Sequence, residues 1–179
     1  MTKITVTEAL AEIPTTLKRI EKKRDFIVSY LYRQSVVRDP HEKDGGTSEL
    51  IKREMQAVKD LHERIIAIRS AIQKSNQDTT ITVGDTTRTI ADWLTWRREI
   101  AEGQRYFYSK ISSKLREMRQ DALRKGIQVS DKDAGFSPDY IVNINERELA
   151  DKIESLENVL GTLDGQLSLK NATVFVDVP

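Results

Sequence analysis

Residues 148–167 read ELADKIESLENVLGTLDGQL, and their apolar side chains recur at alternating steps of four and three. A helix places residues with this spacing on one narrow stripe. The stripe consists of Leu149, Ile153, Leu156, Leu160, Leu163 and Leu167. The side chains of such a stripe are buried from water only when another helix packs against them. The segment therefore predicts a helix that belongs to a bundle or a coiled coil.

Three upstream segments repeat this spacing. Their stripes are Ile13, Leu17, Ile20, Ile27, Leu31; Ile51, Val58, Leu61, Ile65, Ile68, Ile72; and Ile90, Leu94, Ala101, Tyr108, Ile111, Leu115, Met118, Ala122. Four long helices that pack by their stripes predict a mainly α protein. We expect one domain over residues 1–179, an elongated antiparallel four-helix bundle or set of coiled-coil hairpins with a small β-sheet at one end.

Proline and glycine mark the first helical hairpin, which we expect at about residues 8–75. Pro14 predicts that its long helix begins near residue 14, after a short turn capped by Thr7. Pro40 and the Gly45-Gly46 pair end this helix. Thr47 or Ser48 then caps the next one.

Runs of β-branched residues and turn-forming residues predict the elements that follow the first hairpin. Residues 79–89 predict a β-hairpin that turns at Gly84-Asp85. Residues 90–125 predict a long helix capped by Thr89, and residues 126–139 predict a loop. Residues 140–178 predict a strand, a helix and a strand.

Short strands are expected to collect into one sheet at one end of the bundle. Their ranges are 3–6, 80–83, 86–88, 141–144 and 173–178. Asn76 and Asn171 stand where a left-handed residue would end each preceding helix. Asn145 is expected to cap the last helix, as Thr7 does the first.

The final strand places Val174, Val176 and Val178 on one face, with Phe175 among polar residues on the other. It either closes its own sheet or adds to the sheet edge of a neighbouring subunit. The candidate interaction residues are Thr173, Val174, Phe175, Val176, Phe136 in the loop, Trp93 and Trp96.

Three polar residues interrupt the stripes, namely Arg24, Arg97 and Gln104. A polar side chain at such a position can fix helix register when it is paired. Arg24 and Arg97 are expected to meet Glu54 or Glu99. The alternative is that these side chains reach out to water beside a drifting stripe.

Charge is unevenly distributed along the chain. The net charge is +1, but residues 126–179 carry 4 Lys+Arg against 10 Asp+Glu, and residues 90–125 carry 9 against 5. This separation of charge along the chain suits head-to-tail contacts between copies, or it reflects ordinary solvated faces. Cysteine is absent, which excludes disulfides and thiolate metal sites. We expect a protein without signal peptide or membrane span, cytoplasmic, or in a virion if phage-encoded.

Catalytic signatures are missing from the sequence. His41 and His62 have no metal-ligand spacing, and no phosphate-binding glycine motif occurs. Arginines interleave with aromatic residues over 93–108, but the helical spacing of the aromatic residues argues against nucleic-acid binding. We therefore expect no enzyme activity, cofactor or metal, although an unrecognised enzymatic site is a third alternative.

The segments TEALAEIPTTLKRIEKKRD, GDTTRTIADWLTWRREI and ELADKIESLENVLGTLDGQLSLKNATV resemble the septicolysin-like family of small, uncharacterised bacterial and phage-encoded helical proteins. The resemblance lies in the order of elements and covers most of the chain. It implies a fold and no site residues.

Pattern and resemblance together favour a non-enzymatic structural or assembly protein. Its partners would be copies of itself or other proteins of a larger assembly, such as a phage virion that uses it as a minor capsid, decoration or tail-associated subunit. The alternative is a cytosolic helical adaptor or regulator that binds protein or nucleic acid as a dimer.

Overall fold

A computed structural model describes residues 2–131 and 139–178 of the protein. The protein is mainly helical, with small β-sheets. In chain order the elements are β1 (Thr2–Thr5), α1 (Val6–Ser29), α2 (Thr47–Asp78), β2 (Thr80–Val83), β3 (Thr86–Thr89), α3 (Ile90–Thr95), a π-helical turn (Trp96–Ala101), α4 (Glu102–Lys125), β4 (Val129–Asp131), β5 (Tyr140–Val142), α5 (Glu146–Thr173) and β6 (Phe175–Val178).

The chain forms two compact units. The first comprises Met1–Thr79 with Ser168–Pro179, and the second comprises Thr80–Leu167. In the first unit, α1 and α2 form a helical hairpin, and β1 pairs with β6 in an antiparallel sheet. In the second, β2 and β3 form an antiparallel hairpin, and β4 pairs in parallel with β5.

Helix α1 begins earlier than the sequence predicts, because a capping box fixes its start. The Glu8 amide donates to Thr5 Oγ1 at 3.2 Å, and the Thr5 amide donates back to Glu8 Oε2 at 2.7 Å. The Thr5 amide and the Thr5 hydroxyl both donate to the Glu8 carboxylate, and these two bonds lower the pKa of that carboxyl. Thr5, rather than Thr7, is therefore the cap, and Pro14 lies inside the helix instead of near its start.

The core of the first unit lies between α1, α2 and β6. Its buried residues are Val6, Ala9, Ile13, Ile20, Ile65, Ile68, Val176 and Val178. The predicted stripe positions Ile13, Ile20, Ile65 and Ile68 are thereby confirmed. Leu17 is 47% exposed, however, and Thr16 is buried in its place.

The connection between α1 and α2 is held by one carboxylate. Asp39 accepts hydrogen bonds from the backbone amides of His41 and Thr47, at 2.9 and 3.0 Å, and from the Thr47 hydroxyl. These donors lower the pKa of Asp39 to about 2. Gly46, at φ 90°, occupies the N-cap position of α2, so neither Thr47 nor Ser48 caps that helix as expected.

The predicted helix at 90–125 is a continuous run of α3, the π-helical turn and α4. Thr89 caps its start, because its hydroxyl accepts a hydrogen bond from the Asp92 amide at 3.1 Å. Gly126 caps its end, with a φ of 68° that favours glycine. A π-helical turn holds an extra residue and shifts the stripe upstream of it. Trp93 is accordingly buried, where the sequence predicted Leu94.

Helix α5 buries the stripe that the sequence predicts most clearly. Leu149, Leu156, Leu163 and Leu167 are buried, and Leu163 and Leu167 join Ile81, Val83, Ile90 and Trp93 in the core of the second unit. Ion pairs link α5 to the preceding helical run: Arg97 with Asp164 at 2.7 Å, Arg105 with Glu157 at 3.0 Å, and Arg119 with Glu146. The two helical runs are therefore antiparallel.

The strands form separate pairs rather than the single sheet expected. Strand β4 lies within the range predicted to be a loop. Asn76 and Asn171 do not end their helices: α2 continues to Asp78 and α5 to Thr173, and no non-glycine residue with positive φ occurs among the described residues. Asn145 does cap α5, accepting hydrogen bonds from the Arg147 and Glu148 amides at 3.0 and 3.3 Å.

Candidate protein-binding edge of the C-terminal strand

The tail strand pairs within its own chain. In β6, Phe175 is opposite Thr5 and Asp177 is opposite Lys3 of β1. Val176 and Val178 are buried in the core, whereas Phe175 is 60% exposed. The alternation predicted for this strand is therefore confirmed. Thr173 is the last residue of α5, and its hydroxyl donates to the Leu169 carbonyl at 2.8 Å.

The outer edge of β6 presents main-chain groups that β1 does not use. The Val6 amide donates to the Val174 carbonyl at 3.0 Å, which fixes the hydrogen-bonded positions of the ladder. Because these positions alternate in an antiparallel pair, Val176 and Val178 face β1 with their main-chain groups. The amide and carbonyl groups of Phe175 and Asp177 consequently point away from β1. No other strand pairs with β6 in the described part of the chain.

A groove of about 520 Å³ runs between this edge and the C-terminal end of α2. The α2 residues that line it are Ser70, Ala71, Lys74, Ser75 and Asp78, and Thr79 lines it just after the helix. Ala71 and the two serines are small, so an extended chain can approach closely, and Lys74 and Asp78 add one charge of each sign. Phe175 and Asp177 line the opposite side. The groove has the polar main-chain edge and side-chain pockets that strand addition requires.

The helix beside β6 bears on what this edge accepts. Val176 of β6 packs in one cluster with Ala71 and Ile72 of α2, so β6 carries a helix on one face. The β6 strand of a second copy would bring such a helix with it to the edge, whereas an extended segment would bring none.

The two tryptophans proposed as contact residues belong to the core of the second unit. Trp93 is 3% exposed, and its indole donates to the Ile81 carbonyl at 3.0 Å. Trp96 packs edge-on against it at 5.4 Å between ring centroids. Trp93 is thus a core residue rather than a surface for partners. Phe136, the other aromatic candidate outside the tail, lies outside the described residues.

The polar positions in the stripes have different partners from those expected. Lys23, not Arg24, meets Glu54, at 2.6 Å between Nζ and Oε2. Arg24 is exposed and lies 3.3 Å from His62 Nε2. At this position, as at Thr16, the residue that faces α2 comes one residue before the predicted one, although Ile13 and Ile20 are buried as predicted.

In the second unit, Arg97 pairs with Asp164, while Glu99 is taken by the neighbouring Arg98 at 2.9 Å. Gln104 is exposed. Of the three polar positions, Arg97 alone makes an ion pair that joins two helical runs.

Other chemistry-bearing groups are dispersed. His41 packs against the rings of Phe26 and Tyr30, at 5.7 and 5.0 Å between centroids. Across residues 2–131 and 139–178, no three His, Asp or Glu side chains lie close enough to hold a metal ion. Over the same ranges, no helix is long and apolar enough to cross a membrane.

Sequence reasoning identified β6 but missed the α2 side of its groove. Lys74 and Asp78 lie in a helix with ordinary spacing, so no local pattern sets them apart. Their role depends on the packing of β6 against α2, which is a tertiary contact.

Comparisons with known proteins give information about the fold of the chain. No protein-family model and no curated protein matches the chain. It is similar to the crystal structure of a functionally unknown conserved protein from Corynebacterium diphtheriae, with a TM-score of 0.55 and 20% sequence identity. The match covers 98% of this chain and 100% of that chain. At this identity the likeness shows a shared fold and nothing about activity.

Proposed function

We propose that this protein is a non-enzymatic assembly protein that binds an extended segment of another protein along the outer edge of β6. The observation that carries the proposal is the pair of outward main-chain positions, Phe175 and Asp177, beside a groove of about 520 Å³. An open strand edge is a template for a further strand. Main-chain hydrogen bonds supply affinity, and the groove selects the side chains.

The groove favours a particular peptide. Alternate side chains of an added strand point towards α2, where Ala71 and Ser75 leave room for small or branched residues. The intervening side chains lie beside Phe175, whose exposed ring supports an apolar neighbour. Lys74 and Asp78 favour a segment that carries charges of both signs.

The proposed binding edge would serve in either of two biological settings. The resemblance to a family that includes phage-encoded proteins suggests a virion, where the partner would be an extended segment of a neighbouring subunit. In that setting the helices would form one elongated four-helix unit. A cytosolic adaptor is the second candidate, and it would use the same edge to hold a regulated partner.

Selection of short random peptides on the immobilised full chain tests the proposal. We expect the selected peptides to alternate small and apolar residues and to slow amide hydrogen exchange at Phe175 and Asp177. Phe175→Pro removes one outward amide without touching the bonds to β1, and it should abolish binding. Phe175→Thr keeps the amide and is the matched control, which should retain most of the affinity.

Two results would overturn the proposal. One is a set of selected peptides that leaves exchange at Phe175 and Asp177 unchanged. The other is equal binding by the proline and threonine variants, provided that circular dichroism shows both to be folded.

A further inference from the structure

A second groove, on the α1–α2 hairpin, carries positive charge. It has a volume of about 590 Å³ above the apolar side chains of Ala57 and Leu61. Arg19 and Lys22 of α1 line it, and its lining as a whole carries four cations, Arg19, Lys22, Lys23 and Arg64, against one acid, Asp60. The apolar floor and cationic wall together suit a helix with small side chains and carboxylates.

Two of the cations lining this groove already have partners. Lys23 pairs with Glu54 at 2.6 Å, and Arg64 pairs with Glu12. The pairing lowers the pKa of the Glu12 carboxyl. The charge of Arg19 also helps to lower the pKa of the Glu12 carboxyl, but neither Arg19 nor Lys22 forms a salt bridge with any residue in 2–131 or 139–178. Both side chains can therefore meet an incoming carboxylate.

Helix α5 carries a matching pair of carboxylates. Its acids Glu146, Glu157 and Asp164 are paired with arginines of the preceding helical run. Asp151 and Glu154 are exposed and form no salt bridge within the described ranges. They are three residues apart in the helix, as Arg19 and Lys22 are, so each pair spans the same distance along its helix.

We propose that the groove at Arg19 and Lys22 binds α5 of a second copy, through the carboxylates of Asp151 and Glu154. Complementary charge at equal spacing identifies a second copy as the occupant. The two surfaces belong to different parts of the chain, so the interface is heterologous: each copy offers one groove and one acidic face. This interface is separate from the β6 edge, and it joins copies of the protein rather than a foreign segment.

Light scattering of the full chain across concentration and salt provides the test. We expect the mean mass to rise at least about twofold over one chain at low salt, and to return to one chain near 1 M salt, where the Debye length is about 3 Å. Arg19→Glu with Lys22→Glu should remain one chain. Asp151→Lys with Glu154→Lys should do the same.

Mixing these two double variants is the decisive step, because each then meets a complementary surface on the other. We expect association to return in the mixture. Lys43→Glu with Arg69→Glu changes the net charge equally at exposed positions outside the groove, and it should associate like the unmodified chain.

Four outcomes would overturn the proposal. The first three are a single-chain mass at low salt, association that survives both double variants, and a mixture that stays monomeric although both variants are folded by circular dichroism. The fourth is association lost only in the Arg19 and Lys22 variant, which would show that the groove binds a different acidic surface.

Discussion

Lys23 of α1 and Glu54 of α2 form an ion pair of 2.6 Å at stripe positions, where both helices otherwise present apolar side chains. Their side chains are 32% and 24% exposed, so each is removed from much of its hydration. A pair of this kind contributes little net stability, but its disruption leaves one charge without its partner. Its structural effect is to fix how α1 and α2 align.

This alignment leads to a prediction about the pair. Glu54→Leu should lower the free energy of unfolding by about 1 kcal/mol, because Lys23 loses its partner while half-buried. Lys23→Met combined with Glu54→Leu should restore stability or exceed it. Urea unfolding of both single variants and the double variant measures the coupling. Simple additivity of the single effects would show that the contact is energetically silent.

Asp39 leads to a prediction about pH. Its pKa in the folded protein, about 2, lies below its ordinary value of 3.8, so its bonds stabilise the fold above about pH 4. That contribution is lost as the pH falls from about 4 towards 2. The melting temperature of the unmodified chain should therefore fall more over this window than that of Asp39→Asn.

Other carboxyls also titrate in this window, so the informative quantity is the difference between chain and variant. Asp25→Asn, at an exposed position in α1, is the control and should behave like the unmodified chain. Parallel acid curves for the unmodified chain and Asp39→Asn would contradict the prediction.

Gly161 lies in the interior of α5, exposed, with no atom within 4 Å of a β-carbon placed there. Glycine destabilises a helix interior by about 0.5–1 kcal/mol relative to alanine. Gly161→Ala should raise the free energy of unfolding by that amount. Gly46→Ala is the opposing control, since a φ of 90° strains any side chain, and it should destabilise. Equal effects at the two positions would contradict this account.

Substitutions in β6 test whether this strand is part of the core of the first unit. Val178 is fully buried, and Val178→Ala should lower the free energy of unfolding by about 2 kcal/mol through lost burial and a residual cavity. Phe175→Ala, at an exposed position in the same strand, should change it by less than about 0.5 kcal/mol. Urea unfolding with equal losses for both variants would place the tail outside the core.

The helices were predictable because their stripes are long and regular. In the α5 stripe, Leu149, Leu156, Leu163 and Leu167 are buried as predicted, while Ile153 and Leu160 are half-buried. The helical run at 90–125 has the expected bounds. Errors of one residue arose where two neighbouring positions were both compatible with the pattern. Thr16 is buried where Leu17 was predicted, and Lys23 pairs with Glu54 where Arg24 was predicted. Sequence periodicity does not determine which side of a stripe meets the partner helix.

Strand pairing was less predictable for a different reason. Strands of three or four residues carry little pattern, and their partners are chosen by tertiary packing. Apolar and polar residues alternate clearly in β6, yet nothing in its sequence identifies Thr2–Thr5 as its partner strand. The groove beside β6 was hidden for the same reason, since its far wall is a helix distant in sequence.

The pairing of β1 with β6 also affects the order in which the protein can fold. The first unit is discontinuous: Thr80–Leu167, which separates its two segments, forms the other unit. During synthesis, α1 and α2 emerge long before Val176 and Val178 can cover their apolar side chains. We therefore expect the α1–α2 hairpin to keep an exposed apolar surface until β6 is synthesised, and chaperones can recognise such a surface.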